Sequence, residues 1–205
     1  VDNSASHCLQ MLFGEGSGDV AAYAAARPAA HAPGEVWNYS SGTSNIVARI
    51  VGDAVGGGRA GMESFLGERL FGPAGMHSAS VRFDDAGTFI GSSFVHATAH
   101  DFARFGELYR NDGVAADGTR VLPSGWRDHG RERTAVDPES GFGYGAHWWL
   151  WPEFPGSFAA HGSPRRRPAG AGGRAPPVRT HAGWHDRLEA CAGPGAGGTP
   201  GLCRA

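Results

Sequence analysis

The chain has 205 residues, 40% of them hydrophobic, with six tryptophans and eleven phenylalanines; this suffices for a buried core and excludes a disordered chain. All eighteen basic residues are arginine, so no lysine can act as general base, Schiff-base amine or phosphate-loop cation. The net charge of −2 hides an asymmetry: residues 1–163 hold 11 Arg against 18 acids, and residues 164–205 hold 7 Arg against 2.

Residues 1–30 read as helical, interrupted by Gly14-Glu15-Gly16-Ser17-Gly18. Pro28 and Pro33-Gly34 then mark a loop that delivers the chain to Trp37-Asn38-Tyr39-Ser40-Ser41-Gly42. Thr43 or Ser44 can cap a helix whose apolar positions Ile46, Val47, Ile50, Val51 and Val55 follow the helical period and are expected to be buried. Gly56-Gly57-Gly58 ends it; with no lysine following, this is a helix stop and not a phosphate loop.

A second helix is expected from about Met62 to Leu70, burying Met62, Phe65, Leu66 and Leu70 and stopping at Gly72-Pro73. Ser80 to Phe83 reads as a short strand. Thr98 with Asp101 has the spacing of a capping box and opens a helix burying Phe102, Phe105, Leu108 and Tyr109, closed by Asn111-Asp112-Gly113. Leu122-Pro123-Ser124 starts a shorter helix through Trp126, and the aromatic run Phe142 to Trp151 suits one sheet strand.

From Pro164 the composition changes. Gly, Ala, Arg and Pro make up 30 of the last 42 residues, too little apolar surface to offset the entropy of ordering them. The expected organisation is a folded part at 1–163 and an Arg/Pro/Gly/Ala-rich tail at 164–205. Cys8, Cys191 and Cys203 make neither a C-x-x-C pair nor a disulfide framework. No apolar run is long enough for a membrane span. Arg165-Arg166-Arg167 lacks interleaved aromatics, so no nucleic-acid partner is expected. The sequence fixes neither compartment nor oligomeric state.

The motifs, taken in order, resemble the serine β-lactamase-related hydrolases: class C β-lactamases, DD-peptidases, family VIII esterases and 6-aminohexanoate-dimer hydrolases. Pro33-Gly34 and Tyr39-Ser40-Ser41-Gly42-Thr43-Ser44-Asn45 are similar to the family's second motif. Leu70-Phe71-Gly72-Pro73-Ala74-Gly75-Met76, Ala97 to Gly106, and Phe142-Gly143-Tyr144-Gly145 with Trp148-Trp149 resemble later segments, collinearly over roughly residues 9–162. The resemblance implies an α+β, β-lactamase/transpeptidase-like fold, with an antiparallel sheet flanked by helices and a helical subdomain. This chain is expected to supply mostly the helical subdomain and one later strand, so the fold is incomplete.

The same resemblance implies hydrolysis of a small-molecule ester, amide or β-lactam through an acyl-serine, with no metal and no organic cofactor. Tyr39 then stands where the family's proton-shuttling phenol stands. Ser41 stands where many members carry asparagine, and would hydrogen-bond substrate; the serine variant is more typical of the esterase and oligomer-hydrolase branches. His161-Gly162 falls at the third motif, beside the oxyanion site. Family members continue from there into a β-strand, whereas Ser163-Pro164-Arg165-Arg166-Arg167-Pro168 cannot be a central strand. A shifted reading frame near Gly162 is the expected cause.

The first motif, Ser-x-x-Lys, cannot occur in a chain without lysine and is expected N-terminal to Val1. The chain is therefore expected to be inactive alone. A non-catalytic substrate-binding or regulatory remnant is the alternative. A metal-dependent hydrolase using the i, i+4 pairs His96/His100 and His181/His185 is a third reading without a His-Glu-x-x-His pattern behind it. The absence of a Gly-x-Ser-x-Gly elbow leaves an α/β-hydrolase unsupported.

Overall fold

The computed structural model describes residues 6–138, 140–151 and 158–160. The chain divides into two compact units, Val1–Arg104 and Phe105–Ala205. The expected boundary near residue 163, His161 and Gly162 all lie outside the described residues.

In the first unit, α1 (His7–Phe13) and α2 (Val20–Ala25) flank the glycine-rich break. Asp19 caps α2, its carboxylate accepting from Ala22 N–H at 2.9 Å. Met11 and Val20 bury against Ile90, with Leu12, Tyr23, Ala24 and Phe94 packed around them. The long helix α3 (Ser41–Val55) packs against α2. Its cap is neither Thr43 nor Ser44 but Ser40, whose Oγ accepts from Thr43 N–H at 3.2 Å, one turn earlier than expected.

The expected burial of α3 is also corrected. Its buried residues are Asn45 and Ala48, while Val47, Ile50 and Val51 are exposed. The small residues set this: a Cβ added at Gly91 would come within 2.9 Å of the Ala48 Cβ, and one at Gly42 within 3.3 Å of the Ala24 Cβ. Close approach is possible only on that face.

Gly56 (φ 75°), Gly57 (φ 71°) and Gly58 (φ 59°) then turn the chain through left-handed backbone that side chains rarely adopt. That sharp corner lets α4 (Gly58–Leu66) begin at once, four residues before the expected start. Met62 and Leu66 are buried as expected, but Phe65 is exposed. A π-helical turn, Gly67–Phe71, follows, in which Gly72 N–H bonds back to Gly67 O at 2.8 Å; the helical run ends at the Gly72-Pro73 exit.

The strand expected at Ser80–Phe83 is present only as two isolated antiparallel bridges, Ser80 with His96 and Phe83 with Phe89. Between them the chain must turn back through Asp84 to Gly87, which leaves no room for a continuous ladder; Asp84 N–H and Thr88 O close that turn at 3.0 Å. The buried Asp84 carboxylate accepts from Thr88 N–H at 2.7 Å and from Val20 N–H at 2.9 Å, fastening the turn to the start of α2. Arg49 of α3 joins the same assembly through Thr88 Oγ1 at 2.7 Å and Asp19 at 3.0 Å.

Helix α5 (Ala99–Arg110) begins in this unit and continues into the next. Thr98 Oγ1 accepts from Asp101 N–H at 3.3 Å, which is half of the expected box. The other half is rerouted. Asp101 does not reach back to Thr98 N–H; that group donates to Ser78 Oγ at 2.9 Å, and Ser78 donates to Asp101.

In the second unit, α5 ends as expected. Asp112 (φ 51°) and Gly113 (φ 81°) carry the chain out, with Gly113 N–H bonded to Leu108 O at 2.7 Å. Asp112 also accepts from Gly125 N–H at 2.9 Å, just ahead of α6 (Trp126–Arg131). The short helix thus starts at Trp126 instead of ending there, because Pro123 to Gly125 is spent on the turn that reaches Asp112.

The aromatic run forms two strands, not one. β1 (Ala135–Val136), β2 (Gly143–Tyr144) and β3 (Trp149–Leu150) make an antiparallel sheet in sequential order, with Tyr144 opposite both Ala135 and Trp149. His147, at φ 67°, sits in the turn that splits the run. Trp148 is buried, edge-on to Tyr109 at 4.5 Å and to Phe158 at 4.8 Å, so aromatic packing ties α5 to the hairpin.

Candidate functional site

The loop before α3 is folded by a turn in which Glu35 N–H meets Ala32 O at 3.2 Å and the Glu35 carboxylate accepts from Ala32 N–H at 3.2 Å. Gly34, at φ 86°, occupies the corner that a Pro-Gly pair favours. The chain then passes half-buried Trp37 without regular secondary structure and reaches Ser40, whose backbone is extended. Tyr39 is therefore the residue immediately ahead of the cap of α3, and it is 58% exposed. Its ring lies at the surface, at the helix end where N–H groups point outward and the helix dipole is positive.

Ser41 is the first residue of α3 and is half-buried. The Tyr39–Ser41 pair is thus held at a fixed joint between extended chain and helix. Ser40 secures that joint twice: its Oγ receives Thr43 N–H, and its carbonyl receives Ser44 N–H at 3.3 Å and Ser44 Oγ at 3.3 Å. Gly42 is fixed by the nearness of Ala24, which leaves little space for a side chain on that turn.

One residue of this run had no role assigned from sequence. Asn45, one turn beyond Ser41, is fully buried; its amide Nδ2 meets Met11 Sδ at 3.5 Å and its Oδ1 accepts from Ser92 N–H at 3.2 Å. It fastens the first turns of α3 to α1 and to the 91–93 loop. A polar residue on the side of α3 that carries Ser41 and Ala48 was the available signal.

The histidine pairs fare differently. His96 lies in the bridge with Ser80, ahead of α5, and His100 in its exposed first turn, so helical i, i+4 geometry does not join them. His181 and His185 lie outside the described residues. Among the described residues no group of three or more His, Cys, Asp or Glu side chains is placed to hold a metal ion. Also among them, no helix is long and apolar enough to cross a membrane.

Comparison with known proteins gives two findings. A family model described as Beta-lactamase matches residues 3–189. Among solved structures, a Bacillus anthracis protein provisionally named 6-aminohexanoate-dimer hydrolase superposes with a TM-score of 0.56 and 29% identity, over 64% of this chain and 34% of that one. This chain thus spans about a third of that protein's length. No curated protein matches it.

Proposed function

The chain belongs to the β-lactamase family, and on that footing we propose that Tyr39 is the proton-relaying phenol of an acyl-serine hydrolase whose nucleophile and lysine are not among these 205 residues. The hydrolase fold is α+β and β-lactamase/transpeptidase-like. The observation that carries the reading is the exposed position of Tyr39 at the fixed start of α3, in a motif collinear with the family's.

The chemistry needs three parts: a serine to attack a carbonyl, a base to take its proton, and donors for the oxyanion. A free phenol, with a pKa near 10, is a weak base at neutral pH unless a cation favours the phenolate. In the family pattern that cation is lysine, which can also give up its proton. Arginine cannot replace it, since the guanidinium stays protonated in proteins. With eighteen arginines and no lysine, this chain can stabilise charge but cannot complete the relay.

Ser41 would hydrogen-bond substrate beside Tyr39, and His161-Gly162 would lie along the oxyanion side. The substrate class is a small ester or amide in preference to a β-lactam. Ser41 in place of asparagine supports this, as does the name 6-aminohexanoate-dimer hydrolase given to the Bacillus anthracis relative.

Turnover of a p-nitrophenyl ester by the purified chain tests the reading, with isothermal calorimetry run alongside. No turnover is expected. Turnover above buffer, lost in Tyr39→Phe, would show that this chain carries a working base of its own and would overturn the missing-lysine account. The alternative, a non-catalytic substrate-binding remnant, gains support if ester or β-lactam heats of binding appear without turnover.

A further inference from the structure

Among the described residues, five of the ten exposed large hydrophobic side chains fall between residues 36 and 51: Val36, Tyr39, Val47, Ile50 and Val51, with Ile50 exposed by 61%. Within α3, Thr43, Val47, Ile50, Val51 and Ala54 recur at i, i+4, i+7, i+8 and i+11, which places them on one face, and all five are exposed. No charge interrupts that face; Arg49 is turned away to Asp19 and Thr88. The opposite face, through Asn45 and Ala48, is already packed.

Alpha helices apolar on both sides belong in an interior, whereas a surface helix shows one apolar stripe and a polar back. α3, about 22 Å long, is turned the other way: its small and polar residues Asn45 and Ala48 are packed and its apolar stripe faces outward, so the stripe has no cover among the described residues. Such a stripe selects an apolar polypeptide face and gives an anionic or nucleic-acid ligand nothing to bind. The length relation says where that face comes from. The Bacillus anthracis structure shares only 34% of its length with this chain, so about two-thirds of that protein's chain lies outside the match.

We propose that the outer face of α3, with Val36 and Tyr39 at its entrance, is a docking surface covered by polypeptide of the same β-lactamase-like domain lying outside these 205 residues. Docking there completes the surroundings of Tyr39. Only that last clause rests on the acyl-serine reading; the covering of the stripe does not.

Maleimide labelling tests it. Ile50→Cys, Val47→Cys and the exposed loop control Ala116→Cys are each made with Cys8, Cys191 and Cys203 replaced by serine. Each is made in the 205-residue chain and in the protein translated from the full reading frame around it. The expected result is fast labelling at all three sites in the short chain. In the longer protein, labelling at 47 and 50 slows on the order of tenfold or more, with 116 unchanged. Equal rates in the two proteins overturn the proposal, as does a reading frame that adds no residues. Slow labelling of 47 and 50 already in the short chain also overturns it, since a second copy or the chain's own tail would then be the cover. Protection without hydrolysis in the longer protein would instead sink the acyl-serine reading and leave the docking surface standing.

Discussion

Ser78 donates both its backbone N–H (2.7 Å) and its hydroxyl (2.5 Å) to the carboxylate of Asp101, twenty-three residues on, and thereby pins the start of α5 to the segment leaving the π-helical turn. Two donors on one carboxylate favour its charged form. Asp101 is accordingly held below the ordinary aspartate value of 3.8, first by the Ser78 hydroxyl, then by the Ser78 N–H, with burial opposing and Arg104 assisting.

The pH dependence follows from that direction. The folded state binds this proton less readily than the unfolded chain. The stability it contributes is therefore present above about pH 3.8 and is lost as pH falls through the lower folded value. Asp117, lowered by Thr119 N–H, and Asp128, lowered by Arg127, act in the same sense. Thermal melts between pH 7 and pH 2 should show a falling midpoint on the acid limb. Asp101→Asn should flatten that limb; an unchanged acid limb in Asp101→Asn would contradict this.

Asn45 supplies a second prediction. Asn45→Ala leaves the part-buried Ser92 N–H without its acceptor and removes packing against Met11. A loss of about 2–4 kcal/mol in urea-unfolding free energy is expected. Asn45→Leu keeps volume but still orphans Ser92, so it should recover only part of the loss.

Glycine substitutions should separate by neighbourhood. A Cβ at Gly61 would collide with the carbonyl oxygen of Gly56, a backbone atom that cannot step aside, so Gly61→Ala should disrupt the α3–α4 corner and cost about 1–3 kcal/mol. Gly106, inside α5, has nothing within 4 Å, and Gly106→Ala should stabilise by about 0.5–1 kcal/mol through helix propensity alone. Paired chemical denaturation curves decide both signs.

The Asp84 assembly gives a further case. Asp84→Ala strips the buried Val20 and Thr88 N–H groups of their acceptor, and a loss of about 2–4 kcal/mol is expected. The conservative Asp84→Asn keeps one acceptor oxygen and should lose less. Equal losses in the two variants would assign the cost to charge and not to the hydrogen bonds.

What the sequence revealed was local. The break between α1 and α2, the stop at Gly72-Pro73 and the exit of α5 at Asp112-Gly113 rest on glycine and proline geometry, which needs no tertiary partner. What it concealed was set by contacts distant along the chain. Ser78 entering the α5 cap, Asp84 tying a turn to α2, and Asn45 being chosen over Ile50 for burial all join residues more than twenty positions apart. Periodicity marks which positions are apolar on α3 but cannot say which side the neighbours occupy; small residues at 42, 48 and 91 decided that. At the candidate site, Tyr39 and Ser41 were legible as a motif, whereas the capping role of Ser40 emerged only with the helix start.

Fluorophosphonate labelling read by intact mass is the most direct measurement of the central claim, since the probe reports an activated serine whatever the substrate. The 205-residue chain should remain at its unmodified mass after prolonged exposure, because it has no lysine and, on the reading proposed above, the reacting serine is not among its residues. One probe per chain, blocked by prior heat denaturation, would contradict the account.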